Sequence, residues 1–420
     1  MLKRKLKILM AIFFIIIFLT SCNLNRATSF IDSSLKHEIS LYLYKNNVSL
    51  EYNEDSIADL SILDEDLNGK EIFFTGELHG VKANDKLRRG FLKYFKEKTD
   101  FTYYLCEMSY SGSYFLNKYL TTGDEKILKE LYKSFKGTYE WNKDNYNHWK
   151  WLYGINQSLP QDSRIFIVGV DLEHQYDIAI RYLEEVIVDK NYPSELEEMI
   201  IQLKNTNYSQ NQDDKLLEGF EELQATLLDR EIEYKEALGE DYAGIALVVK
   251  NAIYRNEAYS TEEKDFNKIR DKRIFENFKE INSLLPKGKY YGQWGLNHIF
   301  QGKQLGVNWF GALLNQSSDF RDKIISIGYS YDNCTYMSKG TDGNYSEKRI
   351  DEYKSQLSYF DGFVRDQFTL FKLNGEASPF SKYQIWPYRS GSPKEGTTTA
   401  YIQYLVVIRD STATEPLNIN

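Results

Sequence analysis

Apolar residues along the chain follow two rhythms, short continuous runs and stripes at helical spacing, and the two alternate. Runs at 71–77, 102–108, 164–170, 289–294 and 323–329 are rich in Phe, Ile, Val and Tyr and too short for helices. They predict strands buried on both faces. Between them, Leu87, Phe91, Leu92 and Phe95 fall at helical spacing within 85–96. Helices are also predicted over 112–136, 145–158, 261–284 and 305–315, and at the start of 34–62, where Leu35, Ile39, Tyr42 and Leu43 form a stripe. From about 175 to 284 the chain reads as mostly helical. Its charge-dense part, 191–260, carries Leu216, Phe220, Leu223 and Leu227 at helical spacing and reads as an insertion over the sheet. Two later runs, 368–373 and 401–408, predict further strands. Strands alternating with helices imply an α/β fold, a mainly parallel central sheet flanked by helices, with a large helical insertion.

The first residues form a different pattern. Lys3, Arg4, Lys5 and Lys7 precede an apolar stretch from Ile8 to Thr20, too short to span a bilayer comfortably. It ends in Leu19-Thr20-Ser21-Cys22, which resembles a bacterial lipobox. That resemblance implies cleavage before Cys22, acylation of its thiol and an extracytoplasmic body anchored to the cell membrane or outer membrane. The expected organisation is a signal peptide at 1–21, a tether and N-terminal helical segment at 22–62, and one α/β domain at 63–420. Cleavage removes four positive charges and no negative ones, taking the net charge from −9 to −13. Such a balance argues against nucleic acid and against electrostatic binding to anionic lipid. Two cysteines remain: Cys106 reads as a buried thiol in a strand, with a bridge to Cys334 as the alternative.

The chemistry gathers where strands end. The first ends in Gly76-Glu77-Leu78-His79-Gly80, the second at Glu107, the third at Asp171 and the fourth in Asn297 and His298. In a parallel sheet these ends share one edge, and ligands bind beyond it. The helix before the fourth strand adds Arg270, Asp271, Arg273 and Asn277, with 270, 273 and 277 placed on one face. A His held by a carboxylate can take a proton from water, and an Arg can stabilise the developing oxyanion. The pattern therefore suits hydrolysis of a small-molecule substrate. His37 reads as a surface residue, His148 as a packed one, and His174 as either surface or cleft rim. Two His with carboxylates are also ligand types for a metal, although no His-Glu-x-x-His spacing is present.

In order along residues 70–410, these segments resemble the erythromycin esterase-like family. They include Gly76–Gly80, Cys106-Glu107-Met108, Tyr119–Gly123, Trp149 to Asn156, Val168–Leu172, Arg270-Asp271…Asn277, Gln293–His298, Gly311–Leu314 and Ile325–Tyr329. The resemblance implies that His79 is the general base for ester or lactone hydrolysis, with no cofactor or metal required. It implies that Glu77, Glu107 and His298 act with it, and that Arg270, Asp171, Asp271 and Asn297 bind substrate. One residue separates Glu77 from His79 where macrolide esterases place two, and Leu296 stands where they often carry a second His. The single-residue spacing is closer to haem-binding iron-uptake lipoproteins of the same superfamily. A ligand-binding lipoprotein using the same cleft is thus the alternative expectation.

Overall fold

The computed structural model describes residues 33–419 apart from 54–55, 59, 189–191, 208–212, 341–342, 351–356 and 390. The predicted signal peptide, Cys22 and the tether as far as residue 32 lie outside the described residues.

The chain begins with helix α1 (Ser33–Lys45), edge strand β1 (Asn47–Ser49) and a small hairpin, β2 (Tyr52–Asn53) and β3 (Ser56–Ile57). Strand β4 (Ile72–Glu77) leads into α2 (Ala83–Thr99), then β5 (Tyr103–Ser109), α3 (Tyr110–Thr122), α4 (Glu125–Lys133) and α5 (Lys143–Ser158). After β6 (Phe166–Asp171) come α6 (Tyr176–Val186) and the helical insertion: α7 (Ser194–Asn207), α8 (Asp213–Asp229), α9 (Glu231–Leu238) and α10 (Asp241–Tyr259). Helix α11 (Glu263–Leu284), β7 (Tyr290–Gly295), α12 (Phe310–Gln316) and β8 (Ile324–Asp332) complete the parallel part. A hairpin, β9 (Thr335–Lys339) and β10 (Tyr345–Arg349), precedes β11 (Phe368–Lys372) and β12 (Tyr404–Arg409).

Eight strands form one sheet in the order β1-β11-β12-β8-β4-β7-β5-β6. From β12 to β6 every pairing is parallel, and β11 enters antiparallel to both β1 and β12. The parallel strands are mostly apolar because helices cover both faces; Phe73 and Phe74 point to opposite faces and both are fully buried. The insertion stacks on the β6 side and buries Leu216, Phe220, Leu223 and Leu227, the residues its periodicity singled out.

Several elements differ from the expectations. The helix predicted over 112–136 is two helices, because Gly123 takes the left-handed conformation (φ 72°) and Asp124 caps the next helix. The helix predicted from 305 starts at Phe310. Leu305 and Gly306 have φ of 53° and 82° in a tight turn closed by Gln304 and Val307. The β9–β10 hairpin was not foreseen, and β1, from the segment read as tether and helix, is the edge of the main sheet. Cys106 and Cys334 are both buried, free thiols.

Candidate active site

The crevice originates in the sheet itself. Strands β5 and β7 pair only at Tyr103–Tyr290 and Tyr104–Tyr291, then diverge. Beyond that point side chains bridge the gap: the Trp294 indole N–H donates to the Leu105 carbonyl at 2.8 Å, and the Gly295 N–H donates to Glu107 Oε2 at 2.8 Å. On the other side Glu77 sits level with Gly295 in the β4–β7 register. The C-terminal ends of four strands thus open onto one space, as expected for an open α/β sheet.

Glu77 and His79 form a pair, Oε1 to Nδ1, at 2.7 Å. The other Glu77 oxygen accepts from the Asn84 amide at the start of α2, which also donates to the Leu78 carbonyl at 2.8 Å. The Tyr331 hydroxyl, at the end of β8, accepts from the Leu78 N–H and donates to Asn84 Oδ1, both at 2.9 Å. The motif is therefore clamped by two elements. With Nδ1 held by Glu77, Nε2 is the ring nitrogen left for substrate or water.

Arg270 is the hub on the far side. Its Nη2 donates to Glu107 Oε1 at 2.8 Å and to Asp171 Oδ2 at 2.5 Å, and its Nε donates to Asp171 Oδ1 at 3.0 Å. Asp271, the next residue, is fully buried. It accepts from the Phe310 N–H at 2.7 Å and holds His298 Nδ1 at 2.8 Å. His298 Nε2 faces Arg270 Nη1 at 3.2 Å and Glu107 Oε1 at 3.4 Å. His174 reaches Asp171 at 3.3 Å and Tyr259 at 3.1 Å, so it belongs to the rim.

Gly295 marks the centre. A Cβ placed there would lie 3.4 Å from His79 Nε2, from Glu107 Oε2 and from His298 Cδ2. The missing side chain leaves room where these three groups meet. A cavity of about 540 Å³ opens on one side, and another of about 350 Å³, walled by Trp309, Trp386 and Tyr388, opens on the other. Glu77, His79, Glu107 and Arg270 line both, so they form the neck between two chambers. Asn297 lines the smaller chamber.

Burial and charge tune the groups against one another. Burial pulls the His79 pKa down, but the hydrogen bond and charge of Glu77 outweigh it and raise it to about 9. The ring is 41% exposed, so solvent weakens both influences. Burial likewise opposes the charge on His298, which Asp271 and Glu107 raise to about 10. Burial pushes the Glu107 and Asp171 carboxyls up. His298 and Arg270 around Glu107, and Arg270 and His174 around Asp171, pull them well below the usual range. At neutral pH the neck therefore holds cationic imidazoles against carboxylates. The shift favours the imidazolium form of His79, which must lose a proton before it can act as a base.

Not every predicted residue arrives. Arg273 turns away, stacks over Tyr254 and pairs with Glu257 and Glu276. Asn277 is buried and ties the Val170 carbonyl to Asn251. His37 is exposed on α1, and His148 is buried among Tyr104, Trp149 and Trp151. Asn84, Tyr331 and Tyr139, whose ring centroid is 5.7 Å from that of His79, are site residues the sequence did not reveal. For Tyr331 a signal existed: β8 runs past Tyr329 to Asp332, so the fifth strand also ends in polar groups. Among the described residues no group of three His, Cys, Asp or Glu could hold a metal ion.

The Erythromycin esterase sequence model matches residues 96–356, more than half of the chain. The chain belongs to the erythromycin esterase family. The match includes Glu107, Asp171, Arg270, Asp271, Asn297 and His298, and begins after Glu77 and His79. No curated protein sequence matches. Among solved structures, a Bacillus cereus protein aligns with TM-score 0.68 and 19% identity, covering 91% of this chain and 99% of its own. A protein titled as a succinoglycan biosynthesis protein gives 0.69 and 16%, with 91% and 99% covered. A mutant of the erythromycin esterase EreC in its open conformation gives 0.63 and 15%, with 86% and 94% covered. At these identities the three establish that the fold is shared.

Proposed function

We propose that this family member is a lipid-anchored, extracytoplasmic hydrolase of an ester, lactone or related carbonyl substrate. In this reading His79 is the base that activates water. The observation that carries it is the meeting of His79 Nε2, Glu107 and His298 around the open position at Gly295. His79 lines both cavities, from which water would approach Nε2, and a carbonyl in the neck would lie within reach of Arg270 and His298. Glu77 fixes the His79 ring and stabilises the imidazolium that proton abstraction forms. Glu107 and Asp171 hold the Arg270 guanidinium in place, and Asp271 does the same for His298. The two chambers suit a substrate whose acyl and alcohol portions extend in opposite directions.

The test is hydrolysis of a panel of chromogenic esters and macrolides by the full chain in detergent, with and without chelator, beside His79→Ala. Turnover that the variant abolishes and chelator spares is the expected result. An unchanged rate in folded His79→Ala overturns the assignment of the base.

A further inference from the structure

Glu140 is a carboxylate of the larger chamber that the catalytic network leaves unused. It lines the cavity of about 540 Å³, and neutral donors hold it: the Tyr132 hydroxyl at 2.6 Å on Oε1 and the Asn145 amide at 2.7 Å on Oε2. Among the described residues no Lys, Arg or His nitrogen lies within ion-pair distance of it. Arg88 is near, but its Nη2 donates to Asp85 at 2.7 Å and to Asn145 Oδ1 at 3.1 Å, and among the described residues its Nε has no hydrogen-bond partner, so its charge reaches Glu140 without a direct bond. Asp85 in turn is shared with Arg89 at 2.8 Å.

The surroundings favour a positive ligand. Burial raises the Glu140 pKa, and the Tyr132 hydrogen bond and the charges of Arg88 and His79 offset this only in part. A cation beside the carboxylate would complete that compensation. Tyr104, Phe135, Tyr139 and Trp149 line the same cavity, and aromatic rings attract cations once water is displaced. Glu77, Asp85, Glu107, Asp144 and Asp171 join Glu140 on the lining, against the guanidiniums of Arg88 and Arg270 and the rings of His79 and His174. By formal charge the lining carries more carboxylates than cations, which favours a cationic ligand over an anionic one.

We infer that the Glu140 end of this chamber takes a cationic amine, so that the ester carries an ammonium group beside its scissile carbonyl. The amine site stands on the cavity alone; calling its ligand a substrate rests on the proposed hydrolase activity. The probes are choline and its neutral isostere 3,3-dimethylbutan-1-ol, titrated calorimetrically into the full chain in detergent. Choline is expected to bind at least about tenfold more tightly than the isostere, through Coulomb attraction to the Glu140 carboxylate and cation–π contact, since its quaternary nitrogen has no N–H to donate. Glu140→Gln is expected to remove that preference. Equal affinity of the two probes for the wild-type protein overturns the inference, and so does retained preference in folded Glu140→Gln. If that variant does not fold, the wild-type ratio decides. His79→Ala, which lacks the proposed base, should keep the preference. An absence of ester turnover alongside Glu140-dependent choline binding would therefore sink the hydrolase reading and leave the amine site standing.

Discussion

Gly295 allows the neck to be probed without altering any group that lines it. Its backbone, φ −54° and ψ 134°, is open to any residue. The Cβ of Gly295→Ala would meet His79, Glu107 and His298 at contact distance without a clash, yet fill the space beside Nε2. This variant should unfold at the wild-type temperature and lose kcat/KM on the order of 100-fold, the usual cost of displacing a reacting atom by about 1 Å. Steady-state kinetics beside thermal unfolding would check it, and an unchanged rate would place the water elsewhere. His79 carries a second prediction. Burial favours its neutral form, but Glu77 raises its pKa to about 9, so the base form fills only as pH rises. The rate should climb from pH 7 toward pH 9, and Glu77→Gln should move the midpoint down, toward the ordinary 6.5. A wild-type profile already flat at pH 7 would contradict this coupling. Glu77, His79, Glu107 and Asp171 were legible because each ends an apolar run. Tyr331 and Asn84 meet across 247 positions, a proximity that no local pattern encodes. Arg273 misled because helical spacing places residues on a face only to within tens of degrees. The buried partner that works beside Arg270 is Asp271.

At the scale of elements, the segment between β6 and α6 packs an ionisable group with no part in the mechanism against the first turn of α3. Glu173 is fully buried and accepts the Ser111 backbone N–H at 3.1 Å and the Ser111 hydroxyl. Burial outweighs these hydrogen bonds and raises its pKa to about 7. The folded protein therefore holds a proton on Glu173 that the unfolded chain has already released above about pH 4.5. Stability from this group is complete below that pH and is lost as pH rises through about 7, a cost on the order of 3 kcal/mol. Glu173→Gln should flatten the fall in unfolding free energy between pH 5 and pH 8 measured in denaturant. An unaltered slope would show that another group titrates. The strands were legible as elements because double burial writes them as continuous apolar runs. Helix limits were less so, since Gly123 and the Leu305–Gly306 turn interrupt helices through backbone conformation while the apolar periodicity carries across them.

At the scale of the whole molecule, the proposed location at a membrane depends on one residue. The body would carry −13 after cleavage, a charge that anionic lipid repels, so attachment would rest on the acyl chains at Cys22. An anchor at Cys22 would lie eleven residues before the start of α1, a separation of at most about 40 Å for an extended chain. The wild-type chain should incorporate labelled palmitate, sediment with membranes and stay there in 1 M salt, because hydrocarbon burial does not depend on screening. Cys22→Ser should incorporate no label. Release of the wild-type chain by salt alone would show a peripheral, charge-dependent attachment and overturn the anchor. Because the neck is built from β4, β5, β6, β7 and α11, far along the chain from the tether, ester hydrolysis per molecule should be the same in Cys22→Ser. A loss of turnover in that variant would instead mean that the membrane surface takes part in delivering substrate to the chambers.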